Sequence, residues 1–221
     1  MTGGTANGTA SNTGDGTSGS ADEAKRQAGN GSSGPVSPSV RLPRLTPEEL
    51  TPDQDTLYRT IVGGPRQQHA SFFPVADEEG VLSGPYRAML LSPGVGTALE
   101  RLGVAVRYRS ELPLWARELA ILTVAVHTDC PVEWRAHEEL ARSSGVPEET
   151  IRSLHTETPV LSGPEARAVY GFVTGLLREN RVAESTFREV ESLWSTAGVF
   201  ELVVTAGYYQ IIAFVNNAFE V

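Results

Sequence analysis

The chain has 221 residues, with 18 Lys and Arg against 27 Asp and Glu, for a formal net charge of −9. That acidic balance argues against nucleic acid as a main partner. The only lysine is Lys25 and the only cysteine Cys130. Beyond the first forty residues there is therefore no Schiff-base lysine, no pyridoxal phosphate anchor and no phosphate-loop lysine, and one chain can form no disulfide.

Residues 1–40 hold no Leu, Ile, Phe, Tyr or Trp and are dense in Gly, Ser, Thr and Asn. Such a stretch buries too little apolar surface to offset its ordering entropy, and a disordered arm is expected. It lacks the apolar centre of a secretory signal and is too mixed for a transit peptide. No apolar run is expected to span a membrane, and cytoplasmic placement follows by default. Residues 41–221 suffice for one well-cored domain.

Thr46-Pro47-Glu48-Glu49 reads as an N-cap, a proline at N1 and an acidic first turn. The helix it opens should run to about Val62, with a possible break near Pro52, and stop at Gly63-Gly64-Pro65. Arg66 to Pro85 is expected to be irregular, punctuated by His69, Phe72-Phe73-Pro74 and Ser83-Gly84-Pro85. Ser92-Pro93 opens a helix to about Arg107, and Leu112-Pro113 opens the next, ending near His127. Cys130-Pro131 begins a helix that Gly145 closes, and Pro147-Glu148-Glu149 begins a short one to Leu154. Gly163-Pro164 starts a helix to about Asn180, Ala183-Glu184 another to Trp194, and an apolar helix runs from Phe200. No segment alternates with a two-residue period between hairpin turns, so the fold class is all-α.

Chemistry concentrates on two of these helices. In the run Arg117-Glu118-Leu119-Ala120-Ile121-Leu122, Glu118 interrupts an apolar face, four residues from both Leu114 and Leu122. A carboxylate there is costly unless it is paired or used, which marks it as a candidate acid with a shifted pKa. On the next helix, Glu133 and His137 follow Cys130 by three and seven residues and so share its face. Pro131 at N1 makes Cys130 the N-cap, where the helix dipole would favour a thiolate; the alternative is a small buried residue. Glu133 at N3 suits a capping box, yet at i,i+4 from His137 it could also orient the imidazole. His137 is the leading proton-transfer candidate. His127 suits the negative end of its helix but lies within a loop's reach of Cys130, and Trp134 reads as core or pocket wall. Tyr86 and Met89 are further pocket candidates. No spacing among the four histidines, the cysteine and the carboxylates matches a zinc or di-iron pattern, and no metal is expected.

Gly84-Pro85-Tyr86, the Arg117–Leu122 run, Glu133-Trp134-Arg135-Ala136-His137-Glu138 and Gly145-Val146-Pro147-Glu148-Glu149-Thr150-Ile151 together resemble the carboxymuconolactone decarboxylase family, which also contains alkylhydroperoxidase D-like peroxidases. The tail with Tyr208, Tyr209, Asn216 and Asn217 fits as well. The resemblance implies an all-helical fold, a homo-oligomer often built from trimers, and no organic cofactor. The peroxidase branch pairs Cys-x-x-Cys with a glutamate on the preceding helix and a histidine four residues past the second cysteine. Glu118, Cys130 and His137 match that pattern, but Glu133 stands where the second cysteine would be, which removes ordinary dithiol chemistry.

The leading expectation is an acid–base decarboxylase or lyase for a small carboxylated lactone or enolisable acid. His137 would move the proton, Glu133 would orient it and Glu118 would hold a second proton or a water. Arg87, Arg107 or Arg109 would clamp the substrate carboxylate. The alternatives are a single-cysteine peroxidase using Cys130 with an external thiol, and a non-catalytic oligomeric binding protein.

Overall fold

The computed structural model describes residues 41–66 and 74–221. The expected arm at 1–40 and the loop residues His69, Phe72 and Phe73 lie outside them. The described residues form a short 3-10 turn, Pro47–Glu49, and helices α1 (Pro52–Val62), α2 (Pro85–Met89), α3 (Pro93–Tyr108), α4 (Leu114–His127), α5 (Pro131–Ser144), α6 (Glu148–Ser153), α7 (Gly163–Glu179) and α8 (Glu184–Phe219). Among them the only strand-like pairing is one isolated bridge, Ala76 to Leu82.

Most boundaries follow from local chemistry. Prolines lie in the first turn of α1, α2, α3, α5 and α7, where the missing N–H costs nothing. The break near Pro52 is complete: Thr51 starts α1 with its own capping box, its hydroxyl accepting from the Gln54 N–H at 3.4 Å. Gly145 closes α5 at φ 101°, a left-handed conformation that suits a residue without Cβ. Two boundaries differ from expectation. Tyr86 to Met89, left unassigned by the pattern, forms α2 behind Pro85. The expected end at Trp194 is present, because α8 is two helices that meet at a kink where Trp194 and Ser195 leave helical geometry. The second half resumes directly there rather than at Phe200, and Gly198 gives the bend room, since a Cβ on it would lie 2.3 Å from the Trp194 Cβ.

The centre of the protein is α4, which packs against α5, α7 and α8. It is buried continuously from Glu118 to Ala125, as a helix apolar nearly all round must be. Full burial of side chains such as Leu119, Ile121 and Leu122 contributes roughly 1.5–3 kcal/mol each. The α8 helix corrects the expectation about apolar runs: it contains an 18-residue window of mean hydropathy 1.5, long and apolar enough to cross a membrane. Half of that window is buried inside the protein, with Leu202, Tyr209, Ile212 and Ala213 in the core.

Candidate functional site

The site is created by the turn between α4 and α5. Asp129 adopts φ 48°, and the Cys130 N–H reaches back to the Ala125 carbonyl at 2.9 Å. The chain reverses there, and α5 lies antiparallel on α4. Glu118 is nine residues before His127 and His137 nine residues after Thr128, so the reversal sets them face to face. His137 Nδ1 lies 2.7 Å from Glu118 Oε2, with both side chains only 3 % exposed.

The other imidazole nitrogen, Nε2, is 3.7 Å from Glu133 Oε2, beyond good hydrogen-bond range. Glu133 instead accepts at 2.8 Å from Asn216 Nδ2 on α8. The expected division of labour is therefore reversed: Glu118 orients the histidine, and Glu133 lies beside its free nitrogen. Nor does Glu133 complete a capping box, because Cys130 makes no side-chain cap bond.

The two carboxyls sit in opposite electrostatic states. Burial acts to raise the Glu118 pKa, but the charge and hydrogen bond of His137, with Arg107 and Arg117 nearby, hold it below its ordinary 4.5. Glu118 is thus the anion that accepts the Nδ1–H. Burial dominates at Glu133 and pushes it above 4.5 despite His137, Asn216 and Arg107.

The linkage signs are opposite too. Glu118 contributes stability that is present above about pH 4.5 and lost as pH falls through its lowered folded-state value. Glu133 becomes progressively costly as pH climbs from 4.5 towards its raised value. Glu133→Gln is therefore expected to raise the melting temperature at pH 8 by about 2–4 °C for each 1 kcal/mol relieved, and to change it little at pH 4. Thermal melts across pH check this; an increment equal at all pH values would contradict it.

Glu133 and His137 face a cavity of about 40 Å³ that is also lined by Arg66, Tyr86, Arg107, Tyr208 and Tyr209. Arg107, on α3, stacks on Tyr108 at 5.7 Å and makes no ion pair among the described residues. Arg66 is committed elsewhere, its guanidinium bonding both Glu100 oxygens at 2.9 and 3.0 Å. Its remaining nitrogens donate to the Tyr86 and Tyr208 hydroxyls at 3.1 and 3.4 Å. The Tyr209 ring meets His137 edge-on at 5.0 Å, and its buried hydroxyl has no hydrogen-bond partner among the described residues. Burial pushes that phenol well above its ordinary pKa, so it remains a donor.

Of the residues singled out in the sequence, Glu118, Glu133, His137 and Tyr86 come together here. Cys130 is the N-cap of α5, but it is 1 % exposed and does not line the cavity. Burial raises its thiol pKa, and the neighbouring Glu133 charge adds to the rise, so the thiolate expected from the helix dipole is not favoured. His127 and Trp134 lie outside the cavity, His127 exposed and Trp134 against the His155 ring at 4.1 Å. Of the three arginines, Arg107 lines the cavity; Arg87 does not, and Arg109 borders a separate groove with Phe200. Arg66, Glu100 and Asn216 had no signal in residue spacing, because each reaches the site from a remote part of the chain. No group of three or more His, Cys, Asp or Glu among the described residues could hold a metal ion.

The model of the carboxymuconolactone decarboxylase family matches residues 93–174. That span runs from α3 into α7 and includes Arg107, Glu118, Cys130, Glu133 and His137. No curated protein and no solved structure matches the chain. Over those residues, with the all-α fold and the α4–α5 pair at its centre, the chain is similar to the carboxymuconolactone decarboxylase family, which includes decarboxylases and peroxidase-like proteins.

Proposed function

We propose that this protein is an acid–base decarboxylase or related lyase acting on a small carboxylated lactone or enolisable acid. The observation that carries the reading is His137 held between Glu118, whose pKa is lowered, and Glu133, whose pKa is raised, at a cavity lined by Arg107, which makes no ion pair among the described residues.

Among the described residues that line the cavity, Arg107 is the cation without an ion pair and would receive the substrate carboxylate, since Glu100 already neutralises Arg66. The carbon–carbon bond to the carboxylate breaks, carbon dioxide leaves, and the electron pair passes into the conjugated carbonyl as an enolate. Tyr209, a neutral donor without a partner among the described residues, bonds the developing oxyanion. His137 delivers a proton from Nε2 to carbon, and Glu133 restores it. One proton is taken up for each carbon dioxide released. Glu118 accepts from Nδ1 throughout and fixes the tautomer.

A cavity of 40 Å³ holds water but not a lactone. A groove of about 190 Å³, lined by Arg117 and Glu118, shares Arg107 and Leu140 as its wall. Movement of the Arg107 side chain would join the two. The test is carbon dioxide release from a panel of carboxylated lactones and enolisable acids, run beside a hydroperoxide assay with an added thiol. Arg107→Ala should raise KM by about tenfold or more, the value of one charge-assisted hydrogen bond. Peroxide turnover without carbon dioxide release would sink the proposal.

Assembly belongs to the same reading. Phe200, Val203, Ile211 and Phe214 recur at helical spacing along α8, and Phe200 and Phe214 are 67 % and 58 % exposed. Such a stripe on a water-facing surface marks an interaction site. A homo-oligomer, a trimer or a multiple of one, would bury it. Light scattering at micromolar concentration should give a mass above that of the 23.7 kDa chain, and Phe200→Glu with Phe214→Glu should lower it. A monomeric mass for the parent would refute the assembly.

A further inference from the structure

Two residues that the proposed reaction leaves unused, His127 and Trp134, lead to a second site. His127 ends α4 and borders an open pocket of about 370 Å³, large enough for a small organic molecule. His155, just after α6, lines the same pocket, with the Trp134 ring against its imidazole at 4.1 Å. The third base is Arg178, in the last turn of α7. Val126 and Leu154 supply an apolar wall, and Tyr170 and Thr174 add hydroxyls that make no hydrogen bond within the described chain.

In a chain of net charge −9, three basic side chains from three separate elements meet in one pocket. None of the three forms an ion pair or hydrogen bond among the described residues. Other exposed arginines nearby behave differently: Arg142 bonds Glu138, Glu139 and Glu148, and Arg152 bonds Glu148. One acid, Glu157, lines the pocket and is unpaired as well among the described residues. A site for a cation would turn its carboxylates inward and its bases away. Here bases outnumber the acid, and no metal-holding group exists among the described residues.

We propose that this pocket binds a small organic anion, with its carboxylate or phosphate group between Arg178 and the two imidazoles and its body on Val126 and Leu154. It is separate from the His137 cavity and shares no lining residue with it. The inference stands whether or not the decarboxylase reading holds.

Titration of the full chain with sodium succinate, and separately with inorganic phosphate, tests it. The measurement uses a phosphate-free buffer at about pH 6.5, where an ordinary histidine is half protonated. Calorimetry and the imidazole proton resonances of the four histidines report binding. Saturable millimolar or tighter binding of at least one probe is expected, with two imidazole signals moving; the stronger probe tells carboxylate from phosphate recognition. Arg178→Gln and His127→Gln should each weaken binding by about fivefold or more, an effect of roughly one hydrogen-bonded charge. Glu157→Gln should tighten it, a change of sign that no general loss of structure can mimic. Arg107→Ala should leave it unchanged. Absence of saturable binding, binding lost with Arg107→Ala, or binding indifferent to Arg178 and Glu157 would each overturn the proposal.

Discussion

His137→Ala is expected to lower turnover by about 10²–10⁴-fold, the usual contribution of a positioned proton-transfer group. The alanine variant also strands Glu118, a carboxylate 3 % exposed whose partner at 2.7 Å is gone. His137→Gln separates the two effects, because its amide can still donate to Glu118 but cannot carry a proton. It should melt near the parent temperature and remain inactive. Cys130→Ser should be mild, since a hydroxyl serves as well at an N-cap and the reaction consumes no thiol. Glu133→Gln should fall with His137, as the proton can no longer be restored. Under a single-cysteine peroxidase the order inverts: Cys130→Ser is dead and Glu133→Gln survives. Kinetics on both substrate classes decide between them.

Glu100→Ala is expected to be the most damaging single change to stability. Glu100 and Arg66 are 1 % and 4 % exposed at the side chain, and Arg66 Nη2 lies 2.8 Å from the carboxylate. Removing one partner leaves a buried guanidinium uncompensated, at a cost of about 3–5 kcal/mol. At about 2–4 °C per kcal/mol for a domain of this size, the melting temperature should fall by roughly 6–20 °C. Arg66→Met combined with Glu100→Leu should recover much of the loss, because it removes both charges together. A thermal melt in which the double variant is worse than Glu100→Ala would show that the pair is worth more than its desolvation penalty. Gly103 belongs to this network: a Cβ there would lie 2.1 Å from the Tyr208 hydroxyl and 2.5 Å from Arg66 Nη2.

The legible part of the site lay on α4 and α5. Glu118, Cys130, Glu133 and His137 were identifiable because each is a polar residue in an apolar helical stripe, and periodicity exposes such exceptions. Their roles were less legible. Spacing along one helix suggested a Glu133–His137 pair, but the hairpin places Glu118 closer, at 2.7 Å against 3.7 Å. Equal distance of Glu118 and His137 from the turn is a sequence signal that would have found the pairing. The Cys130 thiolate failed for a related reason: position at a helix N-terminus is local, whereas 1 % exposure is a property of the packed protein.

By itself the sequence determined the all-α class, the helix order and most ends, because prolines, caps and glycines act within a turn of themselves. It also determined which two helices carry the polar exceptions. Only the tertiary structure decided that Arg107 rather than Arg87 or Arg109 faces the cavity, that Arg66 and Tyr209 join it while Asn216 holds Glu133, and that His127 lines another pocket, with Trp134 against the His155 ring there. Asn216 meets Glu133 across 83 positions of chain and Arg66 meets Tyr208 across 142. Contacts of that range are set by how whole helices pack, and burial, which raises the pKa of Glu133, exists only once they have.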